Sequence, residues 1–172
     1  IIDNEVMIST KIINDLLDFS RERKAVFKKQ YLNHIIDSTL FRLNIPKHVQ
    51  IEKQLDPGIP LMDLDDGQIQ QIVINLIMNS VQAMEQGGKL YIITELTGDN
   101  VDLVIKDTGC GMNQDQLNKI FEPLFTTKPK GIGLGMSIVK ILVEKHKGSI
   151  EIQSRENIGT KITITLPMKM QN

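Results

Sequence analysis

The stretch IQQIVINLIMNSVQAM, residues 69–84, decides the fold class of this chain. Its apolar residues recur every three to four positions, which is the period of an amphipathic helix. Acidic residues at 63–66 form a helix-start signal, and the pair Gly87-Gly88 ends the pattern. Asn75 and Asn79 lie on one face of this helix, beside an apolar stripe where an unpaired amide would be costly. We expect a core helix whose two asparagines have partners.

The segments around this helix alternate between strand and helix patterns. The sequence predicts a short strand after Phe27, strands over 49–55, 89–96, 101–106, 149–154 and 160–166, and helices near 33–43 and 134–147. Thr97-Gly-Asp-Asn100 has the composition of a hairpin loop, so its flanking strands should be antiparallel. We therefore predict an α+β fold, a two-layer α/β sandwich with helices on one face of a mostly antiparallel mixed sheet.

The first 24 residues form a separate amphipathic pattern. From spacing alone, an ordinary core helix and a helix of a dimeric bundle are equally good interpretations. The chain begins Ile1-Ile2-Asp3 without a helix cap or an initiator Met, which suggests a fragment of a longer protein. We place the boundary near residues 22–27, giving domains at 1–24 and 25–172.

Charge and cysteine content narrow the possible environment. Twenty Lys and Arg nearly balance 21 Asp and Glu, and we find no basic patch that would bind nucleic acid or an anionic membrane. The single Cys110 cannot form an internal disulfide, and no apolar run approaches the roughly 20 residues of a membrane span. We expect a cytoplasmic setting with no membrane span in this chain, although an anchor elsewhere in a longer parent stays open.

Three segments have compositions suited to binding chemistry. Asn75 and Asn79 offer amide oxygens, which are hard ligands for Mg²⁺, although such residues are often hydrogen-bonded helix residues instead. Asp107-Thr-Gly-Cys-Gly-Met112 follows a strand directly, and its Asp could accept from an exocyclic amine or cap a turn. Lys130-Gly-Ile-Gly-Leu-Gly-Met-Ser137 opens a helix, where free backbone N–H groups suit phosphate oxygens.

The glycine loop fits neither of two common nucleotide motifs. Its glycines stand at 131, 133 and 135, which is not the dinucleotide spacing, and it lacks the Gly-Lys-Ser/Thr of a P-loop. Ile120–Lys128, between the two loops, holds two of the chain's five Phe, for which loop anchoring is the simpler interpretation.

Together and in this order, these segments resemble the catalytic and ATP-binding domain of sensor histidine kinases, which has the Bergerat-type ATP-binding fold of the GHKL superfamily. Asn75–Ala83 resembles the N box, 107–112 and 131–135 the two glycine boxes, 120–125 the F box and Gly159-Thr160 the last short box. The resemblance runs from about Pro60 to Leu166. Leu16–Arg21 also resembles the end of the family's second dimerisation helix, which favours a bundle helix for the first 24 residues.

The resemblance implies a Mg²⁺–ATP site with assigned roles. Asp107 would accept from the adenine amine, supported by Thr160, and Asn79 would ligate Mg²⁺ with Asn75 beside it. Lys128, from a short lid over about 126–132, would approach the terminal phosphate, with Lys130 as a second candidate. The remaining residues expected to line the site are Gln82, Gly109, Gly111, Met112, Phe121, Thr127, Gly131, Gly133, Leu134, Gly135 and Met136.

Three departures from the family pattern stand out. Ser80 replaces a usual Ala, Ile132 a usual Thr, and Gln82 stands where many members place a phosphate-contacting Lys, which puts more weight on Lys128. Related hydrolases carry a Glu at the position of Asn75, and an amide cannot act as a general base at neutral pH. We therefore expect phosphoryl transfer rather than water attack.

The phosphate acceptor is not recognisable in this sequence. His34, His48 and His146 all lack the setting of the family's acceptor, and surface or packing roles suit each of them. The resemblance implies a histidine on a dimerisation hairpin, a receiver domain of a response regulator as partner, and a homodimeric parent. Two alternatives stay open: a non-catalytic nucleotide-binding module and an anti-sigma-type serine kinase of the same fold. Redox sensing by Cys110 needs an electropositive setting that the sequence does not reveal.

Overall fold

A computed structural model describes residues 25–128 and 131–169 of the chain. The predicted helix over residues 1–24 and the candidate residue Lys130 lie outside the described residues. In chain order the elements are β1 (Lys28–Gln30), α1 (Leu32–Arg42), β2 (Val49–Leu55), β3 (Met62–Leu64), α2 (Asp66–Ala83), β4 (Gly88–Thr97), β5 (Asn100–Asp107), α3 (Gln114–Lys119), α4 (Gly135–Lys145), β6 (Ser149–Arg155) and β7 (Gly159–Pro167).

Five strands form one mixed sheet in the order β2-β4-β5-β7-β6. β2 and β4 are parallel, and the three other neighbouring pairs are antiparallel. A tight turn cannot join parallel neighbours, so the chain passes from β2 to β4 by way of α2. The α+β prediction is confirmed, including the mostly antiparallel sheet.

The core lies between this sheet and the helices. Alternate residues of β4, such as Leu90 and Ile92, are fully buried, as are Leu76 and Ile77 of α2. α2 packs between α1 and α4 and contacts β4 and β5. Because α2 is packed on several sides, its position relative to the sheet is fixed, and the site described below depends on polar residues of this helix.

α2 begins where the acidic signal predicts. Asp65 is its N-cap, and Oδ1 of Asp65 accepts from the backbone N–H of Gln68 at 3.0 Å. The residues just before it, Met62–Leu64, form the short strand β3, which pairs antiparallel with β1 and was not predicted. The acidic residues in and around β3 indicated a helix start in the sequence. The alternation of two buried residues with a half-buried one between them was therefore not recognised as a strand.

Two other features differ from the sequence prediction. The loop between β4 and β5 is shorter than predicted, because Thr97 and Asn100 already pair across the two strands. The helix α3 was missed, although Asn113 and Gln116 form a capping box whose spacing is visible in the sequence. Within the described part of the chain, no helix has the length and apolar character needed to cross a membrane.

Candidate nucleotide-binding site

Asp107 lies at the end of β5, where the sheet meets the first glycine loop. Its residue is only 5% exposed, and its register partner on β7 is Thr160. Oδ1 of Asp107 accepts from the backbone N–H of Gly109 at 2.9 Å and from that of Thr160 at 3.2 Å. The Thr160 hydroxyl lies 2.9 Å from the hydroxyl of Ser154 on β6. The loop after β5 and the start of β7 therefore fix the orientation of one carboxyl group.

Opposing effects act on the pKa of the Asp107 carboxyl. Burial raises the pKa of its carboxyl above the ordinary value, while hydrogen bonds from Gly109, Ser80 and Thr160 and the charge of Lys128 oppose that rise. A buried carboxyl held by neutral donors is suited to accept a further hydrogen bond from a ligand amine. Ser80, noted in the sequence only as a departure from the family, thus takes part in the site.

The loop after Asp107 is tied to the C-terminal end of α2. The backbone N–H of Cys110 donates to the carbonyl of Ala83 at 3.0 Å. A Cβ on Gly109 would lie 2.6 Å from that same carbonyl oxygen, so a side chain at this position would separate the loop from the helix. Asn79 lies one turn before Ala83, and the loop therefore has a fixed position relative to Asn79.

Gly111 joins the same loop to the turn between β6 and β7. It has φ of +65°, and a Cβ there would collide with the backbone of Arg155. The N–H of Asn157 donates to the carbonyl of Cys110 at 2.7 Å. The glycines expected to shape an adenine pocket are thus required by close backbone contacts on both sides.

A second cluster joins the side chain of Lys128 to two residues of α2. The Nζ of Lys128 donates to Oε1 of Gln82 at 2.8 Å and to Oδ1 of Asn79 at 3.2 Å. The backbone of Lys128 is fixed by a turn in which its N–H donates to Oγ1 of Thr126 at 3.1 Å. The structure therefore brings together three residues that the sequence assigned to the phosphate end of the site.

Asn75 lies beside the start of α4. A Cβ on Gly135 would be 3.2 Å from Oδ1 of Asn75, which is a tight contact. The N-cap of α4 is Leu134, and it makes no side-chain capping hydrogen bond. An N-terminus without a side-chain cap has backbone N–H groups suited to an anionic ligand.

The second glycine loop packs against the F-box segment. Gly133 has φ of +76°, and a Cβ there would lie 2.5 Å from the carbonyl carbon of Leu124 and 2.5 Å from the oxygen of Phe125. The N–H of Leu124 donates to the carbonyl of Gly133 at 3.0 Å. A Cβ on Gly131 would collide with Oγ1 of Thr126. Glycine is thus required at 133 by backbone contacts, whereas a side chain at 131 would displace the side chain of Thr126.

The other predicted site residues have different surroundings. Leu134 and Met136 are 2% and 7% exposed and belong to the apolar core, so they can meet a ligand only through their backbone groups. Met112 and Phe121 are half-buried and Thr127 is exposed. The Nζ of Lys140 lies 5.4 Å above the ring centre of Phe121, which anchors that ring to α4.

Asn79 fits a magnesium site in which a bound ligand completes the coordination shell of the metal. The described residues contain no group of three or more His, Cys, Asp or Glu that could hold a metal ion. Asn79 offers a hard amide oxygen that already accepts from the cationic Lys128. Mg²⁺ commonly takes one or two protein ligands and completes its shell with water and phosphate oxygens, so one amide oxygen beside bound phosphates is an adequate protein contribution.

Two of the three histidines, His34 and His48, are exposed, and the third, His146, is buried at 1% exposure. His146 packs against the ring of Phe27, which agrees with a packing role. Ser154, whose hydroxyl contacts that of Thr160, was not found from the sequence because nothing in its local pattern distinguishes it from other strand serines.

Comparison with known proteins shows the family to which this chain belongs. Residues 64–170 match the family of histidine kinase-, DNA gyrase B-, and HSP90-like ATPases. The match covers more than half of the chain, and the chain belongs to this family of ATP-binding domains.

Individual relatives indicate a more specific class of protein within this family. Sporulation kinase E of Bacillus subtilis (strain 168) is 31% identical over 173 residues, covering 98% of this chain and 23% of that protein. The nucleotide-free catalytic domain of the histidine kinase ThkA is 30% identical with a TM-score of 0.75, covering 84% of this chain and 97% of that chain. ThkA in complex with the response regulator protein TrrA gives a TM-score of 0.80 at 30% identity, covering 97% of this chain and 49% of that chain. These likenesses place the chain among the catalytic domains of sensor histidine kinases.

Proposed function

We propose that this domain binds Mg²⁺–ATP and transfers the γ-phosphate to a histidine on a dimerisation hairpin of its parent protein. The observation that carries the proposal is the arrangement along α2. The buried carboxyl of Asp107 is fixed at the C-terminal end of this helix, and the cluster of Asn79, Gln82 and Lys128 lies next to it. The carboxyl group suits a base with an exocyclic amine, and the neighbouring cluster suits phosphates and a cation.

At the base end, Asp107 accepts from the adenine amine. Its Oδ1 is already held by the backbone N–H groups of Gly109 and Thr160, so little reorganisation is needed when the amine binds. The Thr160 and Ser154 hydroxyls, 2.9 Å apart beside this carboxyl, would support a water-mediated contact to the base.

At the phosphate end, Lys128 supplies positive charge from the lid, and the uncapped start of α4 supplies backbone N–H groups. Asn79 holds Mg²⁺, which when bound neutralises phosphate charge and orients the terminal phosphate. Asn75 lies beside these groups, next to Gly135. Phosphoryl transfer depends chiefly on such positioning and charge neutralisation.

The reaction is transfer rather than hydrolysis. Asn75 occupies the position from which the related hydrolases activate water, and its amide cannot remove a proton at neutral pH. The nucleophile must therefore be delivered by another segment that approaches the γ-phosphate. The histidine of a dimerisation hairpin meets that requirement.

The proposed parent is a homodimeric two-component kinase. Residues 1–24 would be the last part of its second dimerisation helix, and 25–172 the catalytic domain. The chain spans 23% of the length of sporulation kinase E, so sensing and dimerisation would belong to other segments. ThkA has been seen in complex with a response regulator, and a receiver domain is the proposed recipient of the phosphate here.

The test provides the acceptor histidine on a separate protein segment. The chain is mixed with the separately made dimerisation hairpin of its parent and γ-labelled ATP, and label on the hairpin is followed over time. Acid-labile, alkali-stable label that disappears when the hairpin histidine is replaced by glutamine is the expected result. Nucleotide binding without any transfer would overturn the kinase proposal, and so would label on serine.

A further inference from the structure

The ammonium group of Lys128 has two acceptors on α2. Gln82 and Asn79 are three residues apart, so their amide oxygens lie on one face of the helix and receive the same cation. The contact with Gln82 is the shorter one, at 2.8 Å against 3.2 Å for Asn79. Hydrogen bonds from an ionised donor are roughly twice as strong as those between neutral groups.

The two acceptors have different fates when nucleotide binds. Oδ1 of Asn79 is the atom proposed to ligate Mg²⁺, and a divalent cation repels an ammonium group that shares the same oxygen. Gln82 carries no charge and lies one turn closer to the end of α2, where its oxygen stays available to Lys128. The backbone of Lys128 also stays in place, because Thr126 and the N–H of Gly131 hold it in a tight turn.

We propose that Gln82 is a positioning residue, which holds the Lys128 ammonium at the phosphate end of the site and acts through that lysine. This inference rests on the proposed function, since it assigns Gln82 a task within the same nucleotide site. Lys128 then moves from Asn79 to the phosphates without leaving the site, because Gln82 keeps its side chain directed there. Removal of Gln82 leaves a long, flexible lysine side chain that must be ordered anew in each binding event.

Nucleotide affinity in a double-mutant cycle tests the coupling. The dissociation constant for Mg²⁺–ATP is measured for the unaltered chain, Gln82→Ala, Lys128→Ala and the double variant. Each single change should weaken binding about tenfold, the value of a hydrogen bond to a charged group, and the double variant should bind no more weakly than Lys128→Ala. Gln86→Ala removes a matched, exposed glutamine just beyond α2 and should leave the affinity unchanged. Losses that simply multiply in the double variant would overturn the proposal.

A second measurement needs no nucleotide. The side-chain amide NMR signals of Gln82 should shift in Lys128→Ala, whereas those of Gln86 should not. Unshifted Gln82 signals would overturn the inference. If the unaltered chain bound no nucleotide, the proposed function would fail, and the NMR comparison would still decide whether Gln82 holds Lys128.

Discussion

The backbone N–H of Asp65 donates a 3.2 Å hydrogen bond to Nε2 of His146. The opposite ring nitrogen, Nδ1, lies 2.8 Å from the carbonyl of Leu142 and must therefore carry the proton. Oδ2 of Asp65 also accepts from the backbone N–H of Val26 at 2.7 Å. A neutral histidine thus joins the end of α4 to the start of α2, at the point where the preceding segment enters the domain.

This arrangement predicts that the domain loses stability in mild acid. Burial lowers the pKa of His146, and the hydrogen bond to Leu142 and the charge of Asp65 oppose that change only in part. Below the ordinary value of 6.5 the unfolded chain binds a proton that the native state does not. The free energy of unfolding should therefore fall as the pH drops below 6.5, by at most about 1.4 kcal/mol per pH unit from this group.

Urea unfolding between pH 5 and 7.5 measures this slope. A His146→Gln variant should be less stable at neutral pH but should show a shallower slope between pH 6.5 and 5. His34→Gln, which changes an exposed histidine, is the control for the substitution itself. Equal slopes in all three proteins would contradict the assignment.

Asp107→Asn should keep the stability of the domain and weaken its nucleotide binding. Because burial raises the pKa of this carboxyl, the native state holds its proton to higher pH than the unfolded chain does. Stability therefore falls as the pH rises from the ordinary value of 3.8 through the raised pKa, and replacing the carboxyl with an amide should remove that loss. The Asn variant should be at least as stable as the unaltered chain at pH 7.

The same variant should bind ATP about tenfold more weakly or worse, because an amide N–H₂ would face the adenine amine where a carboxylate accepted from it. Thermal unfolding and nucleotide titration of one preparation measure both effects. A variant that lost stability and affinity together would indicate a purely structural role for Asp107.

Gly133→Ala should lower the free energy of unfolding more than Gly98→Ala does. Both glycines have left-handed backbones, with φ of +76° and +60°, so each substitution costs about 1 kcal/mol in backbone strain. The methyl group at 98 would meet nothing within 4 Å, whereas at 133 it would lie 2.5 Å from the backbone of Leu124 and Phe125. Chemical unfolding should show a larger loss for Gly133→Ala, and only that variant should lose nucleotide affinity.

Asn79→Ala should remove the Mg²⁺-dependent part of nucleotide affinity. Ala is a better helix former than Asn, so the helix itself should not be destabilised. Titrations with Mg²⁺ and with a chelator should differ for the unaltered chain and coincide for the variant. A Mg²⁺ effect of undiminished size in the variant would remove Asn79 from the metal site.

Much of the fold and the site could be predicted because local patterns determined them. The period of α2 placed Asn75 and Asn79 on one face, and the strand before Asp107 placed that carboxyl at a strand end. The short strand β3 was not predicted, because its acidic residues indicated a helix start and it exists as a strand only by pairing with β1.

The sequence by itself determined the local features: a core helix with two amides, an acidic strand end and glycines where the backbone must turn or approach closely. Only the tertiary structure decided which groups meet. Asp107 and Thr160 are 53 residues apart, Lys128 and Asn79 are 49 apart, and Asp65 and His146 are 81 apart. Such contacts depend on strand register, helix packing and side-chain rotamers, which are properties of the whole fold and not of any local sequence pattern.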